Sequence, residues 1–185
     1  EGARTSDGYD FSAFFKELSP YFQKYDLCVG NLELTFGGTE SGKFSGYPAF
    51  NTPDSLADAL KKDGINFLLT ANNHSYDTGM FGLQRTAQVL KQKGFDFIGT
   101  RETAEENLYT VKEINDIKIG MANYTYSSIS NGRKNLNGNQ MKAEAESLIS
   151  TFVFDNAALE NFYMEADTII ADMKNQEVIE LKIVV

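Results

Sequence analysis

Short apolar runs alternate with helical apolar spacings through the first hundred residues. Residues 26–30, 65–69 and 95–98 are brief apolar runs, the size of buried strands. Leu56, Ala59 and Leu60 recur at helical spacing between the first and second runs. Met80, Leu83, Ala87 and Leu90 do so between the second and third. Thr52 and Pro53 give the earlier helix an N-cap and a first-turn proline. Gly64 stands where that helix would end in a left-handed conformation, and Gly94 closes the later one, over residues 80–93. Strand, helix, strand with short connections is a βαβ unit, so the fold class is α/β.

The flanks are less regular. Residues 11–25 read as a helix with a core stripe of Phe11, Phe14, Phe15, Leu18 and Phe22, kinked or split at Pro20. Residues 109–114 and 117–124 read as strands of a hairpin around Asn115-Asp116. Residues 127–139 are rich in Asn, Gly and Ser and read as a mobile loop. A short helix is expected within 141–149. A longer amphipathic helix over 156–175 carries Leu159, Phe162, Tyr163, Ala166, Ile169, Ile170 and Met173. Residues 181–185 begin a last strand. No repeat or charge-run linker divides the chain, so residues 1–185 form one domain.

Charge narrows the partners. The net charge of -9 disfavours nucleic acid, whose phosphates would be repelled, and a polybasic membrane surface. Cys28 is the one cysteine and reads as a structural thiol. The sequence has no signal peptide and no apolar stretch long enough to cross a bilayer. It lacks an initiator Met and stops within the apolar run 183–185, so it reads as a piece cut at both ends.

Two polar clusters carry the candidate chemistry. Asn72, Asn73, His74 and Asp77 follow the second strand, and His74 is the only histidine. Asn31 and Glu33 occupy the corresponding place after the first strand. Ligand sites in open parallel sheets form in the loops at the carboxyl ends of strands. If these strands are parallel neighbours, both clusters face one crevice. The competing reading is a pair of polar turns whose Asn and Asp residues cap the next helix. Residues 37–44 resemble a phosphate-binding loop but place Phe44 where Ser or Thr would bind magnesium, and no clear helix begins at Lys43. Nucleotide binding there is disfavoured.

Asp26-Leu27-Cys28-Val29-Gly30-Asn31-Leu32-Glu33 resembles the D-x-x-x-x-N-L-E segment of CapA/PgsA-type bacterial capsule and poly-γ-glutamate synthesis proteins. Ala71-Asn72-Asn73-His74, with Asp77, Gly79, Gly82 and Leu83, is similar to their A-N-N-H-x-x-D-x-G-x-x-G-L signature. Phe97-Ile98-Gly99-Thr100 and Ile117-Lys118-Ile119-Gly120 also resemble family segments. The resemblance spans roughly residues 9–125. It implies a metallophosphatase-like αββα sandwich, present as a fragment without the family's first G-D segment and its last H-x-G and H-x-H segments.

The same resemblance implies site roles. Glu33 and Asn73 would be metal ligands, and His74 would bind or protonate the substrate oxyanion as the catalytic residue. Asn31, Asn72 and Asp77 would support them. Such oxygen ligands suit Mn, Mg or Zn, with weak or no binding expected from a fragment. The implied role is capsule or poly-γ-glutamate biosynthesis and export at the bacterial cell envelope. Whether this includes catalysis stays open: a metal-dependent hydrolase, phosphoesterase or poly-γ-glutamate amide hydrolase, is the alternative to a non-catalytic component. Expected partners are membrane components of capsule synthesis, with no nucleic acid, and self-association through an exposed sheet edge. The expected location is the extracellular face of the membrane, by an anchor outside this chain.

Overall fold

A computed structural model describes residues 2–176 of the chain. The N-terminal strands β1 (Arg4–Thr5) and β2 (Gly8–Tyr9) form a small antiparallel pair. The one-turn helix α1 (Ser19–Phe22) follows. Then come β3 (Val29–Asn31), helix α2 (Ser55–Asp63), β4 (Phe67–Leu69), helix α3 (Gly79–Gln92) and β5 (Asp96–Ile98). These three strands form one parallel sheet in the order β3-β4-β5, which meets the condition for a shared crevice, although β3 starts later than the apolar run 26–30 and is largely exposed rather than buried.

Alternation along β4 divides the interior. Leu68 joins Leu60 of α2, Val89 and Leu90 of α3, and Leu32, Phe36, Ile65 and Phe95 in one core. Phe67 and Leu69 point to the other face and meet Ile98 and Met121. Met121 belongs to a long hairpin of β6 (Tyr109–Ile114) and β7 (Ile117–Ala122). Its turn, Asn115-Asp116, takes positive φ at both residues (52° and 65°), which allows Asp at the second position. Parallel sheet and hairpin are thus successive layers. Helix α5 (Asn156–Asn175) lies beyond the hairpin, where a Cβ on Gly120 would approach the Met173 sulfur to 2.6 Å.

A third core lies beneath the carboxyl end of β4. Ala71, Tyr76 and Leu83 pack there with Leu136, Met141, Ala145, Leu148 and Ile149. The elements of this stretch are β8 (Thr125–Tyr126), β9 (Ser128–Ser130), β10 (Arg133–Leu136), β11 (Asn139–Gln140), helix α4 (Ala143–Glu146) and β12 (Thr151–Phe152), of which β10 and α4 supply Leu136 and Ala145 to this core.

Several expectations need correction. Residues 127–139 are not an irregular loop: β9, β10 and β11 form a three-stranded antiparallel sheet through that segment. Asn131-Gly132 and Asn137-Gly138 are two-residue turn signals, and each residue takes positive φ. The helix over 11–25 contracts to α1. Phe15 and Phe22 reach the first core, whereas Phe14 and Leu18 are exposed, so the stripe is only half buried. Proline at the start of α1 explains the break, because it cannot donate in a helix interior. Asp54, not Thr52, precedes α2; its carboxylate pairs with Arg85 at 2.7 Å instead of capping. Gly64 does end α2 left-handed, at φ 105°. The expected final strand, 181–185, lies outside the described residues.

Candidate functional site

The two polar clusters converge. β3 and β4 are adjacent and parallel, with Asn31 opposite Leu69, so their carboxyl ends open side by side. The Asn72 amide bridges them. Its Nδ2 donates to the Leu32 carbonyl at 2.8 Å and to Asn31 Oδ1 at 3.2 Å. Asn31 Nδ2 in turn donates to Glu33 Oε2 at 3.2 Å. On the other side, Asn72 Oδ1 accepts from the His74 backbone N–H at 3.0 Å. One amide network therefore runs from Glu33 through Asn31 and Asn72 to the backbone of His74.

The loop after β4 is over-determined by buried polar groups. Ser75 Oγ approaches the Thr70 carbonyl (2.6 Å) and accepts from the Asn72 N–H (2.9 Å). Thr70 Oγ1 accepts from the Thr100 N–H at 2.9 Å, tying the ends of β4 and β5. Asn123, just past β7, brackets Ala71: its Oδ1 accepts from the Ala71 N–H at 2.6 Å and its Nδ2 donates to the Ala71 carbonyl at 3.3 Å. Gly99 makes that approach possible, because a Cβ there would lie 2.3 Å from Asn123 Oδ1 and 2.5 Å from Ala71 N. Its φ of 113° also favours glycine.

His74 is buried within this frame. Its Nδ1 lies 2.7 Å from Asp77 Oδ2, and the Asp77 carboxylate is fully buried. An ionised carboxylate only accepts, so Nδ1 carries the hydrogen and Nε2 presents its lone pair. Nε2 stands 3.9 Å from Glu33 Oε1, whose side chain is 50 % exposed. The Phe50 N–H also donates to Asp77 Oδ2, at 2.7 Å, and the Phe50 ring meets the imidazole edge-on at 4.6 Å.

The predicted residues thus separate by role. Asn31, Glu33, Asn72, His74 and Asp77 are joined in one network, while Asn73 is exposed at the mouth. The competing reading, caps for the next helix, does not describe these contacts. Asp77 serves His74 and the Phe50 N–H, and α3 begins without a side-chain cap.

The whole chain, residues 1–185, matches the family described as bacterial capsule synthesis protein PGA_cap. The chain belongs to this family. Among curated relatives, it is 27% identical over 125 residues to the capsule biosynthesis protein CapA of Bacillus anthracis, covering 63% of this chain and 29% of that protein. It is 30% identical over 95 residues to the uncharacterized protein y4sH of Sinorhizobium fredii, covering 48% of this chain and 20% of that protein. The chain therefore spans less than a third of these relatives' length.

The divalent ion that the family resemblance implies does not fit the described residues by themselves. Among them, no group of three or more His, Cys, Asp or Glu side chains could hold a metal ion. Glu33 and Asn73 are exposed, and Asp77 commits Oδ2 to His74 and Phe50 while its buried Oδ1 has no hydrogen-bond partner. What the network does form is an imidazole held by one carboxylate, with a second carboxylate near its outer nitrogen.

Sequence reasoning missed Asn123, Asn137 and Phe50. Asn137, at the tip of the β10–β11 turn, stands 3.2 Å from His74 Nδ1. The Asn137-Gly138 pair signalled a turn, but nothing local signalled its target.

Proposed function

We propose that this chain is part of a capsule biosynthesis protein of the poly-γ-glutamate type, acting at the bacterial cell surface. Its strand-end crevice is a hydrolytic site for the capsule polymer. The family match and the likeness to a CapA protein support the capsule role. The observation that carries the catalytic reading is the His74–Asp77 pair, with Nε2 turned toward Glu33 at 3.9 Å.

Asp77 fixes the imidazole with Nδ1–H inward, so Nε2 is the reactive nitrogen. A water at the mouth would lose a proton to Nε2 as its oxygen attacks the amide carbonyl carbon. The imidazolium so formed lies between Asp77 and Glu33, whose carboxylates stabilise its charge. It then returns the proton to the departing amine as the C–N bond breaks. Helix, parallel sheet, hairpin and helix follow one another as layers, which supports a metallophosphatase-like sandwich. In that reading, membrane components of capsule synthesis are the partners, and further ligands for a divalent ion come from beyond the described residues.

The test uses the full-length protein and poly-γ-glutamate. His74→Ala is expected to lower the cleavage rate by about 10²–10⁴-fold, the usual loss of an acid–base group. Asp77→Asn should lower it too, by releasing the ring. Unchanged cleavage in both variants rejects the site. Cleavage of a phosphoester but not of the polymer transfers the site to the phosphoesterase reading. Metal analysis of the intact protein and of Glu33→Ala measures whether other residues complete a divalent site.

A further inference from the structure

The segment before α2 folds back on itself over the site. Ser45 and Asn51 exchange both backbone hydrogen bonds, at 2.9 and 3.1 Å, closing a loop whose tip is Tyr47-Pro48. Phe50, at its base, is held from both ends. Its N–H donates to Asp77 Oδ2 at 2.7 Å, and its carbonyl accepts from Thr35 Oγ1 at 2.7 Å. The ring of the same residue covers one edge of the His74 imidazole. The loop tip has an outside tether: Asn137 Nδ2 donates to the Pro48 carbonyl at 3.2 Å. The same Nδ2 lies 3.2 Å from His74 Nδ1, as a close contact and not a hydrogen bond, because Nδ1 already donates its hydrogen to Asp77. Loop, hairpin tip and imidazole therefore meet at one side-chain amide.

The hairpin tip is fixed from below. Leu136 and Met141 flank the turn segment and are buried with Tyr76 and Leu83 in the core beneath the site. Asn137 takes φ 49°, a left-handed conformation that asparagine tolerates, and the Leu136–Asn139 pairing closes the turn around it. The amide thus projects from a two-residue turn closed by strand pairing.

We propose that Asn137 is a positioning residue for the His74–Asp77 pair. It latches the 45–51 loop to the β10–β11 turn, so that Phe50 holds the Asp77 carboxylate and the imidazole edge in place. This rests on the hydrolytic reading for its consequence, but not for its structural test. His74 is the only histidine, so its imidazole resonances in a nuclear magnetic resonance spectrum are unambiguous.

The test compares three variants of the chain. Asn137→Gly removes the amide and keeps the left-handed backbone. Asn137→Asp keeps the shape but cannot donate to the Pro48 carbonyl. Asn131→Gly makes the equivalent change in the neighbouring β9–β10 turn. Expected in both Asn137 variants are loss of the nuclear Overhauser contacts between the Phe50 ring and the imidazole, and Phe50 amide exchange about tenfold faster or more. The thermal midpoint should stay near that of the parent, and Asn131→Gly should change neither readout. Retained contacts and protection in Asn137→Gly would overturn the latch. Equal loss in Asn131→Gly would also overturn it, as general loosening of the small sheet. Both readouts are independent of turnover, so an inactive full-length protein would reject the hydrolytic reading and leave the latch standing.

Discussion

Residues 29–101 and residues 109–176 bury their apolar surface in different ways. The first region buries both faces of its central strand, β4: Leu68 packs under α2 and α3, and Phe67 and Leu69 pack against the hairpin. In the second region the longest helix, α5, buries only Ile169, while Tyr163 and Met164 on it are 60% and 69% exposed. The candidate chemistry follows the first region. Most of its polar groups sit just past β3 and the buried β4, on a parallel sheet that leaves few alternative positions. The second region contributes single side chains, Asn123 and Asn137, that reach into that frame.

Mutations should expose the contrast. Phe36, fully buried in the first core, should cost about 3–5 kcal/mol on change to Ala, read from denaturant midpoints. The same truncation at Tyr163 should stay within about 0.5 kcal/mol, as at exposed positions elsewhere. Equal losses at the two positions would remove the distinction between the regions. Asn123→Ala tests the connection between them. It strips the buried Ala71 N–H of its acceptor and should cost about 1–3 kcal/mol. Full stability in that variant would mean that the bracket around Ala71 is incidental.

Smaller effects sharpen the picture within the second region. Asp155 caps α5, accepting from the Ala158 N–H at 2.9 Å, so Asp155→Ala should cost about 1 kcal/mol. A smaller loss would mean that α5 is held by its packing on the hairpin alone. The Tyr124 phenol gives a pH signature. Burial first, and then the Glu165 carboxylate that accepts its hydrogen bond at 2.6 Å, push it well above its ordinary value of about 10. The unfolded chain therefore releases this proton at lower pH than the folded chain. The contribution is intact below about pH 10 and falls as pH rises beyond it. Tyr124→Phe should flatten the alkaline limb of a stability–pH curve and leave the acid limb unchanged.

The parallel core was legible because its signals are local. Apolar runs of strand length and helical spacings between them fix β4, α3 and β5 to within a residue or two. The parallel pairing then follows from short connections. The aromatic stripe of residues 11–25 misled because spacing cannot show which side finds a partner. Phe15 and Phe22 found one, and Phe14 and Leu18 did not. Residues 127–139 misled because polarity outweighed two Asn-Gly turn signals in the reading of composition.

The sequence by itself determined the α/β class, the family, and the clustering of Asn72, Asn73, His74 and Asp77 at one strand end, since each depends on residues near one another in the chain. Only the tertiary structure decided which of them work together. Asn31 reaches Asn72, and Glu33 approaches His74, across strands separated by a helix. Asn123 bonds to Ala71, and Asn137 to Pro48, from more than fifty residues away. Hydrogen bonds act over about 3 Å, and no spacing along the chain encodes that closeness until the cores bring the strands and turns together.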